Sequence, residues 1–551
     1  MGSIVENGWV LSLSLAAKCG GAAAAADSPH LLFLAALFVL AVSATTLLHW
    51  AAPGGPAWGR YWSSQKRRRS TPEAKPIPGP RGLPIVGSIG LMSGLSHRKL
   101  AAAADAFAAR RLMAISVGET RVVVTADPNV AREILSSMAF ADRPVKESAY
   151  GLMFRRAIGF APYGPYWRSL RRIAAAHLFS PSQIAAFADR RSAIAAQMVA
   201  ALKSAAAAAA RGGRVEVRGV LKAASLSHMM WIVFGKKYDL NMDNKTTWCE
   251  EMQELRFMVD EGYQLLGTLN WSDHLPALAG FDPQRVRSRC ARLVPRVNRF
   301  MGRIIDECRF GPARDPDTAP AFVDVLLSLQ DREQLSDEDM RAVLWEMIFR
   351  GTDTVAVLLE WVLARATLHR GVQVRAHAEL NSAATDHHHH HFPLPYLQAI
   401  IKETLRLHPP GPLLSWARLA TSDTVLSGRH VPEGTTAVVN MWAIARDPAL
   451  WSRPEEFRPD RFIEPDGEAV GLSVFGSDLR LAPFGSGRRS CPGKGLAMAA
   501  VGSWAAVLLH EFEWAPTPAA PVDLSEVMRL SLEMAAPLAV ELRPRPTQKC
   551  I

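Results

Sequence analysis

The stretch Pro483-Phe484-Gly485-Ser486-Gly487-Arg488-Arg489-Ser490-Cys491-Pro492-Gly493 decides how the rest of this chain is read. It is a glycine-rich loop that runs into an apolar helical pattern from Leu496 to Leu509, with one cysteine just ahead of the helix. A thiolate in that place is stabilised by the helix dipole and by free amide donors, and the same donors tune a metal bound to the sulfur. Glycine lets backbone approach a flat ligand closely. Arg489 carries the planar fork that pairs with a carboxylate on such a ligand. A lone cysteine is ordinarily a small buried hydrophobe, and Cys19, Cys249, Cys290, Cys308 and Cys550 are read that way. Cys491 stands apart because of its setting.

Further out, Ser336 followed by Asp339 has the pattern of a capping box. Apolar residues then recur at Val343, Leu344, Met347, Ile348, Val355, Leu358, Leu359, Val362 and Leu363, which predicts one long helix crossing the core. In its middle stand Gly351, Asp353 and Thr354, a weak spot if read by helix propensity alone, since Gly costs a helix up to about 1 kcal/mol. Glu403 and Arg406 lie at i and i+3 on one predicted helix face, where a bare surface ion pair would contribute little. Trp167 and Arg171, at i and i+4, share a face of another. Short strands are predicted at Arg121 to Thr125, Thr436 to Val439 and Leu538 to Leu542.

Phe484, Gly487, Arg489, Cys491 and Gly493 match the FxxGxRxCxG haem-binding signature, and the chain resembles the cytochromes P450, the haem-thiolate monooxygenases. The resemblance implies that Cys491 is the axial iron ligand, that Phe484 packs near its sulfur, that Arg489 binds a haem propionate, and that Gly493 belongs to the cofactor loop. Three more motifs occur in family order. Glu403 and Arg406 resemble ExxR and, with Arg461 of Phe457-Arg458-Pro459-Asp460-Arg461-Phe462, the family's structural triad. Trp167 and Arg171 resemble WxxxR, directed toward a propionate. Gly351-Thr352-Asp353-Thr354 resembles the AGxDT pattern that loosens the helix for dioxygen, so the resemblance assigns Asp353 and Thr354 to proton delivery. Arg350 stands where the family usually has a small residue, and Val355 where it often has a hydroxyl. Arg418 is similar to the propionate-binding Arg after the ExxR helix. Longer stretches, Phe349 to Ala356, Leu414 to Ala420 and Phe160 to Trp167, are similar to the plant A-type subfamily that contains the KLUH and PLASTOCHRON growth regulators.

The remaining sequence fits a membrane-tethered enzyme. The chain has 551 residues, 49% hydrophobic and 21% charged, enough for a large core and unlike a disordered or fibrous protein. Its net charge of +11 suits nucleic acid, an anionic membrane surface or an acidic partner. The six cysteines include no CxxC pair, so neither a disulfide scaffold nor a zinc ribbon is expected. No Asp, Glu, Lys or Arg occurs between Asp27 and Arg60, and Leu31 to Leu48 is long enough to cross most of a ~30 Å hydrocarbon layer. An uncleaved anchor is expected over a secretory signal, because the run is long and no basic residue immediately precedes it. Lys66, Arg67, Arg68 and Arg69 follow the span, which places the body in the cytosol by the positive-inside rule. The stretch Trp9 to Ala26, broken by Lys18, is expected at the interface, and Pro76-Ile77-Pro78-Gly79-Pro80 as a stiff, non-helical connector. His387 to His391 reads as a solvated loop.

The expected organisation is therefore a lumenal or interfacial segment (1–30), a transmembrane anchor (31–50), a basic and Pro-rich linker (51–82) and one mainly α-helical P450 domain with a small β region (83–551). The expected cofactor is haem b, with electrons from NADPH through a partner reductase. Expected partners are that NADPH-cytochrome reductase, O2, a lipophilic small-molecule substrate and membrane lipid, with no nucleic acid. The expected reaction is insertion of one oxygen atom into a C–H bond, in a plant, at the endoplasmic reticulum membrane, on a fatty acid or a fatty-acid-derived growth signal. Two other readings are a haem-thiolate isomerase or dehydratase that uses no dioxygen, and a membrane-tethered interaction protein with an inactive haem site. The complete set of motifs counts against both.

Overall fold

The computed structural model describes residues 29–68, 75–209, 213–240, 250–311, 319–385, 394–414, 417–517 and 521–546. The expectations for Trp9 to Ala26, for Cys19, Cys249 and Cys550, and for the histidine run lie outside these residues, as do Ser415 and Trp416. Helices dominate, with several small sheets. The helices that build or flank the site are α1 (Pro29–Trp50), α2 (Pro56–Arg68), α3 (Pro165–His177), α4 (Arg218–Phe234), α5 (Asp337–Leu368), α6 (Pro395–Leu407) and α7 (Lys494–Glu511). The strands used below are β1 (Met113–Val117), β2 (Thr120–Thr125), β3 (Val215–Glu216), β4 (Arg418–Leu419), β5 (Thr436–Val439), β6 (Phe512–Ala515), β7 (Glu526–Met528), β8 (Leu532–Met534) and β9 (Ala539–Pro544).

The long helix forms as its pattern predicts. Ser336 caps α5, its hydroxyl accepting from the Asp339 amide at 3.1 Å while the Asp339 carboxylate accepts from the Ser336 amide at 3.0 Å. Two of the orphan donors of the first turn are thereby satisfied. From Met340 onward most of α5 is buried, with Trp345 and Trp361 fully enclosed. It packs against α4 on one side and α7 on another. Gly351 is needed for the first of these contacts, since a Cβ there would lie 2.4 Å from Met229 Cε of α4.

One sheet has the order β1-β2-β5-β4, with β2 and β5 parallel (Val122 opposite Thr436) and the other pairs antiparallel. The predicted strand at Leu538 forms as β9, one residue later than read, between β3 and β6. Strands β7 and β8 make a hairpin in which Met528 faces Leu532.

At the N-terminal end, Leu32–Trp50 is the one described helix long and apolar enough to cross a membrane. The span is not buried by the protein, and Leu32, Phe33, Leu34, Val39, Leu40 and Leu48 are exposed. The Pro-rich connector is non-helical as expected and lies along β1, where the Ala114 amide donates to the Pro78 carbonyl at 2.8 Å. The stretch before it differs from a plain linker. It contains α2, whose Trp58 is fully buried and donates its indole N–H to the Ile115 carbonyl at 3.1 Å. Trp50, at the end of α1, donates to the Gly82 carbonyl at 2.7 Å, so α1 and α2 are each tied to the body by one tryptophan.

Candidate active site

The glycine-rich loop is held in shape by its own backbone. Gly485 and Gly487 have φ of +69° and +68°, the left-handed region that glycine enters without strain. At Gly487 a Cβ would stand 2.1 Å from the Leu135 carbonyl oxygen, so the position admits no side chain. The Cys491 amide donates to the Phe484 carbonyl at 2.9 Å, which folds the loop back and turns the thiol toward a cavity. Gly493 caps α7, so Cys491 sits two residues before the helix, as the sequence pattern requires. Burial pushes the Cys491 thiol up, while the Arg350 charge, the Gly493 amide, Arg171 and Lys494 pull it down. A metal cation at the sulfur reverses the burial effect outright, because a coordinating thiol is deprotonated.

Eight of the nine residues singled out in the sequence line this one cavity: Trp167, Arg171, Thr354, Arg418, Phe484, Arg489, Cys491 and Gly493. Asp353 is not among its walls. Trp167 lies between two guanidiniums, Arg489 at 4.2 Å and Arg171 at 5.7 Å from its ring centroid, and its indole N–H is taken by the Ile158 carbonyl at 2.9 Å. Arg171 donates to the carbonyl of Ser490, next to the cysteine, at 2.9 Å. Arg489 donates to the Ala141 and Ala161 carbonyls and pairs with Asp142 at 3.3 Å.

Sequence reading missed two further walls, Arg143 and Glu346. Glu346 is buried one helical turn before Arg350, 3.5 Å from its guanidinium, and accepts the Gly159 amide at 2.8 Å. Arg350 itself lines the cavity, so it both pairs with an acid and faces the interior. The Arg350–Glu346 spacing of four residues was visible in sequence. Nothing local marks Arg143.

The cavity is thus ringed by guanidiniums. Burial, followed by the charges of Arg489 and Arg171, holds Arg418 down at about 9. Burial also lowers Arg489 to about 10, against the pull of Asp142, and drives Arg143 well below its usual value, with Arg418, Arg489 and Arg350 adding to the effect. Cations lower one another in this way where anions are scarce. A flat ligand with two carboxylates and a metal for the thiol supplies what this set of donors lacks, so haem fits.

Beneath the site, Glu403 of α6 joins Arg406 and Arg461 in one buried cluster. Its carboxylate accepts from Arg406 at 2.8 and 2.9 Å, from Arg461 at 3.1 Å and from the Arg458 amide at 2.9 Å.

A family model described as Cytochrome P450 matches residues 77–536. The chain belongs to the cytochrome P450 family. It is 58% identical to cytochrome P450 78A9 of Arabidopsis thaliana over 513 residues, 92% of this chain and 93% of that protein. It is 54% identical to cytochrome P450 78A3 of Glycine max over 546 residues, 98% and 99% of the two. A flavonoid 3'-monooxygenase of Arabidopsis thaliana is 33% identical over 499 residues, 88% and 94%. The resemblance to a plant A-type subfamily thus holds along most of the chain, and the enzyme class is that of a haem monooxygenase supplied with electrons from NADPH through a reductase.

Proposed function

We propose that this enzyme inserts one oxygen atom of O2 into a C–H bond of a fatty acid or a fatty-acid-derived signal. In this reading α1 anchors it in the endoplasmic reticulum membrane, with residues 83–551 facing the cytosol. The observation that carries it is one shared cavity lined by Cys491, Thr354 and Arg350 together. Bound there, haem supplies dioxygen activation and a thiolate-ligated iron that favours O–O cleavage. The chain's part is positional. Cys491 would ligate the iron with the Gly493 amide donating to its sulfur, and Arg171, Arg418 and Arg489 would hold the propionates. Thr354 would hold a proton at its Oγ1 at the cavity face, replenished from Asp353 on the same turn. Met229, Val355, Leu358 and Leu405 give an apolar wall for a hydrocarbon chain, and Arg350 an end for its carboxylate.

The cytosolic orientation rests on the basic cluster after the span, and docking of the reductase on the exposed Arg168 and Arg172 of α3. Cys491→Ser tests the core of the reading. The reduced carbon-monoxide complex is expected to lose its red-shifted Soret band, because a neutral hydroxyl does not donate charge as thiolate does. A metabolite comparison between microsomes holding active protein and this variant then reads the substrate, and a persistent band refutes the ligand assignment.

A further inference from the structure

Thr354 faces the cavity, but Asp353 points away from it, into a buried cluster drawn from distant parts of the chain. Its Oδ1 accepts from Lys222 Nζ of α4 at 2.8 Å, and the same ammonium stands 3.6 Å from Glu533 Oε2 of β8. The Asp353 and Glu533 side chains are 7% and 3% exposed, against 22% for Lys222. Asp353 Oδ2 is buried and meets no hydrogen-bond partner among the described residues. Two carboxylates around one ammonium, out of water, are more stable with one proton retained than with both ionised. Burial first, and the Asp353 charge second, raise the Glu533 pKa, against Lys222, Arg529 and Arg218. Arg218 is already committed to Glu360 at 2.8 Å. Tyr263 and Asp260 complete the charged surroundings, and Asp260 is exposed at the surface.

We propose that Glu533 stores a proton for Asp353 and that Lys222 is the bridge by which the proton reaches it. The Lys222 ammonium gives one proton to Asp353 Oδ1 and takes a replacement from the Glu533 carboxyl group. Asp353 becomes neutral, Glu533 becomes a carboxylate, Lys222 remains an ammonium, and the charge of the cluster does not change. Neutral Asp353 is no longer held by the ion pair and hands the proton on to the Thr354 side. Solvent refills Glu533 by way of Lys222, the most exposed member of the trio at 22%. Glu533 and Lys222 act through Asp353, so they are positioning residues, and the inference rests on the acid–alcohol reading above.

The test uses the full-length haem-loaded protein in membranes with its reductase and any substrate it oxidises well. In infrared difference spectra near neutral pH, wild type minus Glu533→Gln, the carbonyl stretch of one protonated carboxyl group is expected. Product formed per NADPH is expected to fall as pH rises through the Glu533 pKa, because the store empties. Glu533→Gln should lower that ratio by roughly tenfold, a fraction of the 10²–10⁴ that general acid–base catalysis contributes, and flatten its pH dependence. Glu533→Asp should restore part of both, whereas Lys222→Arg, whose guanidinium keeps the charge but gives up no proton, should behave like Glu533→Gln. A difference spectrum with no such band, or a Glu533→Gln profile that follows the wild type, overturns the proposal. Asp353→Asn separates the two levels: if it uncouples while Glu533→Gln does not, only the store fails, and if it leaves coupling intact, the acid–alcohol reading itself is wrong.

Discussion

Removing Glu403 probes a buried charge cluster away from the cavity walls. Its carboxylate holds two guanidiniums that are 0% and 2% exposed, Arg406 and Arg461, and it also accepts the Arg458 amide. In Glu403→Gln the shape is kept and the charge is lost. Arg461 retains Glu468 as a partner, whereas the remaining acceptors of Arg406 are the carbonyls of Ala445, Pro454 and Glu456. The loss therefore falls mainly on Arg406, with its ring contact to Trp451 at 5.2 Å giving partial relief. Breaking one side of a buried ion pair destabilises by about 3–5 kcal/mol. That is roughly two to four decades in the ratio of folded to unfolded protein, at about 1.4 kcal/mol per decade. The assay is urea denaturation followed by Soret absorbance, with haem content per polypeptide as the second readout. A double variant, Glu403→Leu with Arg406→Leu, is expected to lose less than the two single losses together, because no buried charge is stranded. A Glu403→Gln protein within about 1 kcal/mol of wild type would refute the reasoning, since exposed pairs behave that way and buried ones do not.

Thr354→Ala should keep haem and substrate binding but release reduced oxygen species in place of product, measured as peroxide formed per NADPH; unchanged coupling removes Thr354 from proton delivery. Reversing Arg168 and Arg172 to Glu should slow first-electron transfer in stopped-flow reduction, most at low salt, because steering of an acidic partner is screened above ~0.1 M. Arg168 is expected to carry the larger share, since Arg172 is already paired with Glu333 at 2.7 Å; salt-independent reduction at the wild-type rate contradicts the docking face. Arg350→Ala should weaken spectral binding of a free fatty acid by about 2 kcal/mol or more while sparing the methyl ester. Its fold is expected to survive because Glu346, whose pKa burial already raises, keeps its Gly159 amide donor and takes up a proton; equal losses for acid and ester leave Arg350 a purely structural role.

What the sequence made legible was local. Ser336 and Asp339 are three residues apart, and their capping box forms as read. The loop from Pro483 to Gly493 carries its glycines, arginine and cysteine in one stretch, and eight singled-out residues converge on one cavity. What was not legible depends on contacts between residues far apart in the chain. The α2 helix lies in a basic, proline-flanked stretch whose single decisive feature is Trp58, and only the sheet it docks on shows that this side chain is core. The AGxDT resemblance gives Asp353 and Thr354 one shared role, and successive helical residues point about 100° apart, so Thr354 lines the cavity while Asp353 meets Lys222 and Glu533. No pattern in the intervening sequence announces that meeting.

The charge around the cavity explains why cofactor and fold belong together here. Among the described residues, five guanidiniums, from Arg143, Arg171, Arg350, Arg418 and Arg489, face the site or its rim, against the carboxylates of Glu346 and Asp142. Burial already lowers the pKa of Arg143, Arg171, Arg418 and Arg489. Uncompensated, such a cluster opposes the folded state by mutual repulsion in a poorly solvated space. Two haem propionates would offset two of these charges. Haem would therefore act as a structural counter-ion as well as the reactive group, since a ligand that binds the folded chain alone stabilises that state by mass action. One guanidinium remains in excess after this accounting. Arg350 is already paired with Glu346 at 3.5 Å and Arg489 with Asp142 at 3.3 Å, so the surplus falls among Arg143, Arg171 and Arg418 rather than on Arg350.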